Sequence, residues 1–228
     1  MARVPEERFP ITTPKGDVSA VWLAAAPDAA ALVVGHGAGS GMDHPFLVGF
    51  CQALADEGVA TLRFNFPYME AGRRSPGPAA QAEAAFAAAL EAAAARTRGS
   101  VFAGGKSYGG RIASMVAAGE GGTETAAATP IAGLVFLGYP LHAPGHPEKV
   151  RDAHLYEIRI PMLFLRGTKD PFADEAALAP VLQRLGARAR SVPFEDAGHS
   201  FERSRKDDPR TNGAVLAPHV ATFIRELV

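Results

Sequence analysis

The sequence predicts an α/β fold with about eight strands in a mostly parallel sheet and helices on both faces. Short apolar runs recur along the chain, at residues 18–23, 31–34, 60–64, 101–103, 134–137, 162–165 and 191–194. Segments of helical length separate most of these runs, at residues 46–57, 79–97, 109–118, 175–185 and 214–227. Several runs are continuously apolar, which is typical of parallel strands covered on both faces. The alternation of strand and helix indicates the α/β class.

The opening of the chain follows a different pattern. Residues 9–13 and 18–23 flank the turn sequence Pro14-Lys15-Gly16-Asp17, which predicts an antiparallel hairpin ahead of the parallel strands. Further on, residues 79–98 contain 12 alanines in 20 positions and predict a covering helix, with Gly99 as its expected C-cap. The chain has no internal repeat and no linker, so residues 1–228 are expected to form a single domain.

The composition excludes several classes of protein. With 47% hydrophobic and 21% charged residues, 23 Lys+Arg against 24 Asp+Glu and one cysteine, the chain is not a disordered segment, a coiled coil or a disulfide scaffold. A formal charge of −1 provides no general attraction to nucleic acid or to an anionic membrane. Residues 18–34 are the most apolar early stretch, but Pro27 and Asp28 interrupt it and it is short for a membrane helix. The first residues lack the apolar core of a signal peptide, so we expect a cytoplasmic protein.

One pentapeptide has a recognisable chemical meaning. Gly105-Lys106-Ser107-Tyr108-Gly109 matches G-x-S-x-G, with a predicted strand before it and a helical segment after it. This is the setting of a nucleophile elbow, in which a sharp strand-to-helix turn exposes the serine oxygen beside the positive end of the helix. The crowded flanks of such a turn require glycine. Ser107 is therefore the candidate nucleophile.

Two phosphate-binding interpretations of the glycine-rich segments fit less well. A Walker A loop ending at Ser107 would need glycine at the position of Ser100, and the residues between them are mostly an apolar strand. A dinucleotide fingerprint starting at Gly35 fails at Ser40. The strand that follows also ends without an acidic residue for a ribose hydroxyl. We therefore expect no cofactor.

A serine hydroxyl is a weak nucleophile, so it needs a base, an acid that orients the base, and donors for the oxyanion. Asp170 follows the strand at 162–165 and His199 follows the strand at 191–194, so both are expected at the same edge of the sheet as Ser107. The chain order Ser, Asp, His is the one this kind of site uses. Upstream, residues 35–39 resemble an oxyanion loop, and the expected donors are the N–H groups of Ala38 and Tyr108.

Each of these residues also has a purely structural interpretation. His199 could cap the last helix, Asp170 could be a turn residue before Pro171, and the glycines near position 37 could serve a tight turn. The order and setting of the whole set favour catalysis. We expect His36 to brace the oxyanion loop. The other histidines show no recurrent ligand spacing, so we predict no metal site.

Five short motifs carry a resemblance to a known family. They are RFNFPY at 63–68, GGKSYGGR at 104–111, GYPLH at 138–142, GTKDPF at 167–172 and GHSF at 198–201. Through them, and over essentially its whole length, the chain resembles the α/β-hydrolases. More narrowly, it is similar to a compact group with the testis-expressed hydrolase-like proteins and a subunit of the nonspecific-lethal histone-acetyltransferase complex; dienelactone hydrolase is a more distant relative. The resemblance implies the α/β-hydrolase fold and supports Ser107, Asp170 and His199 as a catalytic triad.

The expected activity is hydrolysis of a small ester or related acyl substrate through an acyl-enzyme, without a cofactor. Two alternatives stay open. One is a non-catalytic interaction protein on a hydrolase fold, which the resemblance to the chromatin subunit permits. The other is a cofactor-free perhydrolase, in which peroxide replaces water. The sequence determines neither the physiological substrate nor the oligomeric state.

The predicted substrate pocket is small. Only 24 residues, 138–161, join the strands at 134–137 and 162–165, which excludes a large lid domain and leaves the pocket bounded by loops. Arg73 and Arg74 are expected near its mouth as solvated surface charge. The residues predicted to form its apolar wall are Met42, Phe46, Tyr68, Tyr139, Leu141, Phe172 and Phe201.

Overall fold

A computed structural model describes residues 4–119 and 129–228. In this part of the chain, eight strands form one sheet in the order β1-β2-β4-β3-β5-β6-β7-β8. The strands are β1 Glu6–Thr13, β2 Gly16–Leu23, β3 Ala31–Gly35, β4 Ala60–Phe64, β5 Val101–Lys106, β6 Leu134–Leu137, β7 Met162–Gly167 and β8 Ala189–Phe194.

The direction of the strands follows the prediction. β1 and β2 form an antiparallel hairpin, and β2 pairs antiparallel with β4. The pairs from β4 through β3 to β8 are all parallel. The carboxyl ends of the parallel strands therefore lie along one edge of the sheet, where function-bearing loops of α/β proteins collect.

Helices cover both faces of the sheet. The helices are α1 Pro45–Asp56, α2 Pro67–Glu70, α3 Ala79–Ala94, α4 Tyr108–Ala118, α5 Glu175–Leu185, α6 Pro209–Ala214 and α7 Ala217–Arg225. Residues of α1 and α7 form one apolar layer, with Phe50 and Ile224 fully or almost fully buried in it. Residues of α3, α4 and α5 form the other layer, which contains Phe86 and Ile112. The predicted α/β fold with helices on both faces is confirmed.

Two predicted helix boundaries are wrong, and each has an identifiable physical reason. The alanine-rich helix ends at Ala94 and not near Gly99, because the Thr97 hydroxyl donates to the carbonyl of Ala29 and turns the chain toward β3. The predicted helix 214–227 begins earlier and is broken into α6 and α7, and a proline lies in the first turn of α7. Proline cannot continue a preceding helix but fits a first turn well.

The connection between β6 and β7 contains one short 3-10 helix, Ala153–Tyr156, and no inserted domain. This agrees with the expected absence of a large lid. Along residues 4–119 and 129–228, no helix has the length and apolar character needed to cross a bilayer.

Candidate active site

The nucleophile elbow has the geometry its sequence predicts. β5 ends at Lys106, α4 begins at Tyr108, and Ser107 between them adopts φ 51° and ψ −113°. A positive φ is uncommon for a residue with a side chain and is often found where function requires it. The close approach of β3 explains the glycine after the elbow, since a Cβ atom on Gly109 would lie 2.2 Å from the carbonyl of Gly35. The elbow therefore fixes the Ser107 side chain at the edge of the sheet.

Three side chains from three different loops form one hydrogen-bonded chain. The Nε2 atom of His199 lies 2.8 Å from Oγ of Ser107, and its Nδ1 atom lies 2.7 Å from Oδ2 of Asp170. Asp170 follows β7 and is buried, and its other carboxylate oxygen accepts a hydrogen bond from the N–H of Phe172 at 2.9 Å. With a carboxylate at Nδ1, the neutral imidazole carries its proton there, and Nε2 is free to accept from the Ser107 hydroxyl.

The surroundings of His199 favour its neutral form. Desolvation lowers the pKa of His199 below its ordinary value, and the positive charge of Lys106 lowers it further, while the hydrogen bond to Asp170 opposes both effects. A general base must be unprotonated at the working pH. The imidazole is therefore available to accept a proton at neutral pH.

Hydrogen bonds from two side chains hold the segment after β3, residues 36–39, in place. The Nε2 atom of His36 accepts from the N–H of Phe66 at 3.1 Å, and its Nδ1–H donates to the carbonyl of Gly37 at 2.7 Å. The Tyr68 hydroxyl accepts from the N–H of Gly39 at 3.2 Å. Burial lowers the pKa of His36 to about 4, so this imidazole is neutral as both hydrogen bonds require. His36 thus braces the loop in the way the sequence indicated.

The two predicted oxyanion donors are free to act. Among residues 4–119 and 129–228, neither the N–H of Ala38 nor that of Tyr108 donates a hydrogen bond. Tyr108 is the first residue of α4, where backbone N–H groups have no partner within the helix. Ala38 and Ser107 line the same cavity.

This cavity has a volume of about 240 Å³. Its wall includes Ser107 and His199, and the ring of Phe172 meets the ring of His199 edge-on, with ring centroids 4.6 Å apart. The lining residues are Gly37, Ala38, Ser40, His44, Phe46, Leu47, Lys106, Ser107, Phe172, His199 and Ser200. The space is large enough for a small acyl compound beside the serine.

Only some of the residues predicted to form the apolar wall of the pocket line this cavity. Phe46 and Phe172 line the cavity, whereas Phe201 stacks behind Phe46 with ring centroids 6.0 Å apart. Met42 lines a separate cavity near β1, and Leu141 is fully buried in the core.

The remaining polar and aromatic candidates have supporting positions. Tyr68 supports the loop after β3 through its hydroxyl, as described above. Tyr139 is buried and contacts Ser114 and His154. Arg73 and Arg74 are exposed and do not line the cavity.

The structure adds a residue to which the sequence assigned no role. Lys106, directly before Ser107, is only 8% exposed and lines the same cavity. Its position as the last residue of a strand buried on both faces was the one available signal, because a lysine there has no solvent-facing side of the sheet to occupy.

A second serine–histidine contact lies away from the cavity. Oγ of Ser114 is 2.8 Å from Nε2 of His154, and the same hydroxyl is 2.7 Å from the carbonyl of Arg111 in the preceding turn of α4. Ser114 has no exposed surface, so a substrate cannot reach it. This pair is a buried polar contact between α4 and the 3-10 helix, and Ser107 is the serine that a substrate can meet.

Asp196 is another carboxylate close to His199 in sequence, but its side chain pairs with Lys169 and not with His199. Its Oδ1 atom forms an ion pair with Nζ of Lys169 at 2.9 Å, and its side chain is 73% exposed. His199 is therefore oriented by Asp170.

The parallel sheet and the hydrogen bonds that join Ser107, His199 and Asp170 define the class: an α/β protein whose serine is placed as a nucleophile. A family model described as an alpha/beta hydrolase domain matches residues 28–227, and the chain belongs to that family.

Solved structures share the fold. Dienelactone hydrolase from Anabaena variabilis is similar, with 17% sequence identity, a TM-score of 0.74 and coverage of 100% of both chains. A serine hydrolase without a lid from Xanthomonas campestris has 18% identity and a TM-score of 0.73, covering 100% of this chain and 97% of that one. A serine hydrolase homologue from Coxiella burnetii has 17% identity and a TM-score of 0.71, covering 97% of each chain.

Proposed function

We propose that the protein is a serine hydrolase of the carboxylesterase type that cleaves small esters or related acyl compounds. The observation that carries this proposal is the chain of hydrogen bonds from Ser107 through His199 to Asp170, at 2.8 and 2.7 Å, in the wall of an accessible cavity. Hydrolysis by such a triad needs no cofactor.

The reaction begins with attack of Ser107 Oγ on the substrate carbonyl, while His199 Nε2 takes the hydroxyl proton. Asp170 holds the imidazole in the required tautomer and stabilises its cation. The N–H groups of Ala38 and Tyr108 bind the oxyanion, for which their lack of other acceptors leaves them free. His199 then protonates the leaving alcohol, and water resolves the acyl-enzyme by the same steps in reverse.

The substrate is small because the site has little apolar surface to receive more. The cavity of about 240 Å³ is formed by loops, the end of β5 and the start of α1, and no inserted helix covers it in the part of the chain that the structure describes. Phe46, Leu47 and Phe172 supply its apolar wall. A long acyl chain would remain in water and gain little from binding.

A fluorophosphonate probe tests the proposal directly, because it reacts with an activated serine. Intact-mass analysis is expected to show one adduct on the wild type and none on Ser107→Ala. Ser114→Ala is the matched control, since Ser114 also contacts a histidine but is buried, and this variant is expected to keep the adduct. Labelling that survives Ser107→Ala, or no labelling of the folded wild type, would contradict the assignment.

The same assay separates the proposal from one of the two alternatives, and an ester panel separates it from the other. A non-catalytic interaction protein, which the narrower resemblance to a chromatin-complex subunit permits, would give no adduct at Ser107. A perhydrolase would give the adduct but would turn over faster with peroxide than with water, since both chemistries share the acyl-enzyme. An ester panel assayed with and without hydrogen peroxide distinguishes them.

A further inference from the structure

A buried lysine stands next to the nucleophile without a partner of its own. Lys106 is 8% exposed and lines the cavity that contains Ser107 and His199. Within residues 4–119 and 129–228, its ammonium group forms no hydrogen bond and no ion pair within 4.0 Å. The side chain is buried, but the ammonium is not fully enclosed and reaches the cavity, where a bound group can meet it. A charge so largely withdrawn from water is stabilised by a partner of opposite charge.

The nearby carboxylates are already engaged elsewhere. Asp170 accepts hydrogen bonds from His199 and from the N–H of Phe172. Glu202 accepts one from the N–H of Ser200 at 2.8 Å. Both carboxylates act on Lys106 through space, but neither forms an ion pair with it. The lysine therefore keeps its donors available for a group that enters the cavity.

The charge on the wall of the cavity is positive. Among the described residues that form its wall, Lys106 is the one side chain that is mostly charged at neutral pH, and no aspartate or glutamate accompanies it. Desolvation lowers the pKa of Lys106 to about 8, so most of the population is still protonated at neutral pH. Desolvation and the positive charge of Lys106 both lower the pKa values of His44 and His199, so these two imidazoles are neutral at neutral pH and bring no negative charge to the wall.

We infer that Lys106 binds an anionic group of the substrate, so that the preferred substrates are short esters carrying a carboxylate. This inference rests on the proposed function and names its substrate class. A carboxylate would give the ammonium the partner it lacks, through a charge-assisted hydrogen bond. The charge could belong to the acyl part or to the alcohol part of the ester, and both place a carboxylate within a small cavity beside Ser107.

Two pairs of matched substrates test the inference. On the acyl part of the ester, monoethyl succinate carries a carboxylate where ethyl succinamate carries an amide. On the alcohol part, acetoxyacetate and acetoxyacetamide differ in the same way. The wild type is expected to have a kcat/KM at least about tenfold higher for the anion in one of the pairs, as a charge-assisted hydrogen bond provides. Lys106→Met, which is apolar and of similar length, is expected to lower that ratio by about tenfold or more.

The ratio of anionic to neutral ester is the readout, because a variant that merely perturbs the site lowers both rates together. Lys169→Met removes an exposed lysine next to Asp170 and serves as the control, and its ratio is expected to equal that of the wild type. A ratio near one in both substrate pairs, or a ratio that Lys106→Met leaves unchanged, would overturn the inference.

A second measurement needs no variant and no turnover. Succinate is expected to slow the fluorophosphonate labelling of wild-type Ser107, whereas succinamide at the same concentration is not. If succinate gives no protection, the inference fails while labelling of Ser107 still supports the proposed function. If Ser107 is not labelled at all, the proposed function fails and the inference fails with it.

Discussion

The Nδ1 atom of His199 lies 2.7 Å from Oδ2 of Asp170, a carboxylate that is 1% exposed, although 29 positions separate the two residues in sequence. Gly138 makes this contact possible. A Cβ atom at this position would lie 2.9 Å from the carbonyl oxygen of His199 and 3.5 Å from Oδ2 of Asp170, and the residue has φ +72°. The end of β6 thus leaves space for the loops after β7 and β8 to meet.

The first prediction concerns this contact. Asp170→Asn is expected to leave the fold intact and to lower kcat/KM by about four orders of magnitude, because the amide cannot hold the imidazole in the tautomer that accepts from Ser107. Ester turnover and circular dichroism would measure the two effects. Asp196→Asn, at the exposed carboxylate paired with Lys169, is the control and is expected to keep near-normal turnover. Near-normal turnover of Asp170→Asn would show that another group orients His199.

The second prediction concerns pH. Since the pKa of His199 lies below its ordinary value, the imidazole stays neutral to lower pH than a free one. We expect kcat/KM for a neutral ester to fall as pH drops through that lowered pKa, with a midpoint below about 6.5. The groups that act on His199 are Asp170, Lys106 and Glu202. Removing the positive charge in Lys106→Met is expected to move the midpoint to higher pH, and a shift in the opposite direction would contradict this account.

The third prediction concerns acyl length. On aryl esters, we expect kcat/KM to peak at about two to four acyl carbons and to fall roughly tenfold by about eight, equivalent to about 1.4 kcal/mol of lost transition-state binding. The physical reason is the cavity of about 240 Å³, which has no helical lid to cover a longer chain. Leu47→Ala shortens a side chain of the wall and enlarges the cavity, so it is expected to shift the peak toward longer chains. A wild-type profile that still rises at eight carbons would refute the small-substrate assignment.

The fourth prediction concerns stability in acid. The pKa of His36 is lowered to about 4 in the folded protein by desolvation, so between this value and the ordinary 6.5 the unfolded chain binds the proton and the folded chain does not. The free energy of unfolding is therefore expected to fall as pH drops from about 6.5 to about 4, with this residue contributing about 3 kcal/mol of the loss.

Urea unfolding at a series of pH values would measure this effect. His36→Gln keeps an acceptor for the N–H of Phe66 but does not titrate, so its stability is expected to depend less on pH than that of the wild type. Parallel curves for the two proteins would show that His36 is not the group responsible.

Much of the fold follows from patterns that are local in sequence. Apolar runs predicted seven of the eight strands that the structure describes, and the turn sequence after residue 13 predicted β1. Two of the runs, at 60–64 and 134–137, have the same bounds as β4 and β6. The elbow could be predicted equally well from the sequence, because a strand, a glycine-flanked serine and a helix are consecutive in the chain. The helix ends were less accurate, since contacts such as that of Thr97 with Ala29 join residues far apart in sequence.

The sequence by itself determined the α/β class, the position of Ser107 at an elbow, and the set of acids and bases that follow strands at the same edge of the sheet. Only the tertiary structure decided that Phe46 and Phe172 line the cavity while Leu141 lies in the core, and that Lys106 is buried beside Ser107. The reason is that strand and helix patterns arise from neighbours in the chain, whereas the direction of a side chain beyond a strand end depends on how separate loops pack together.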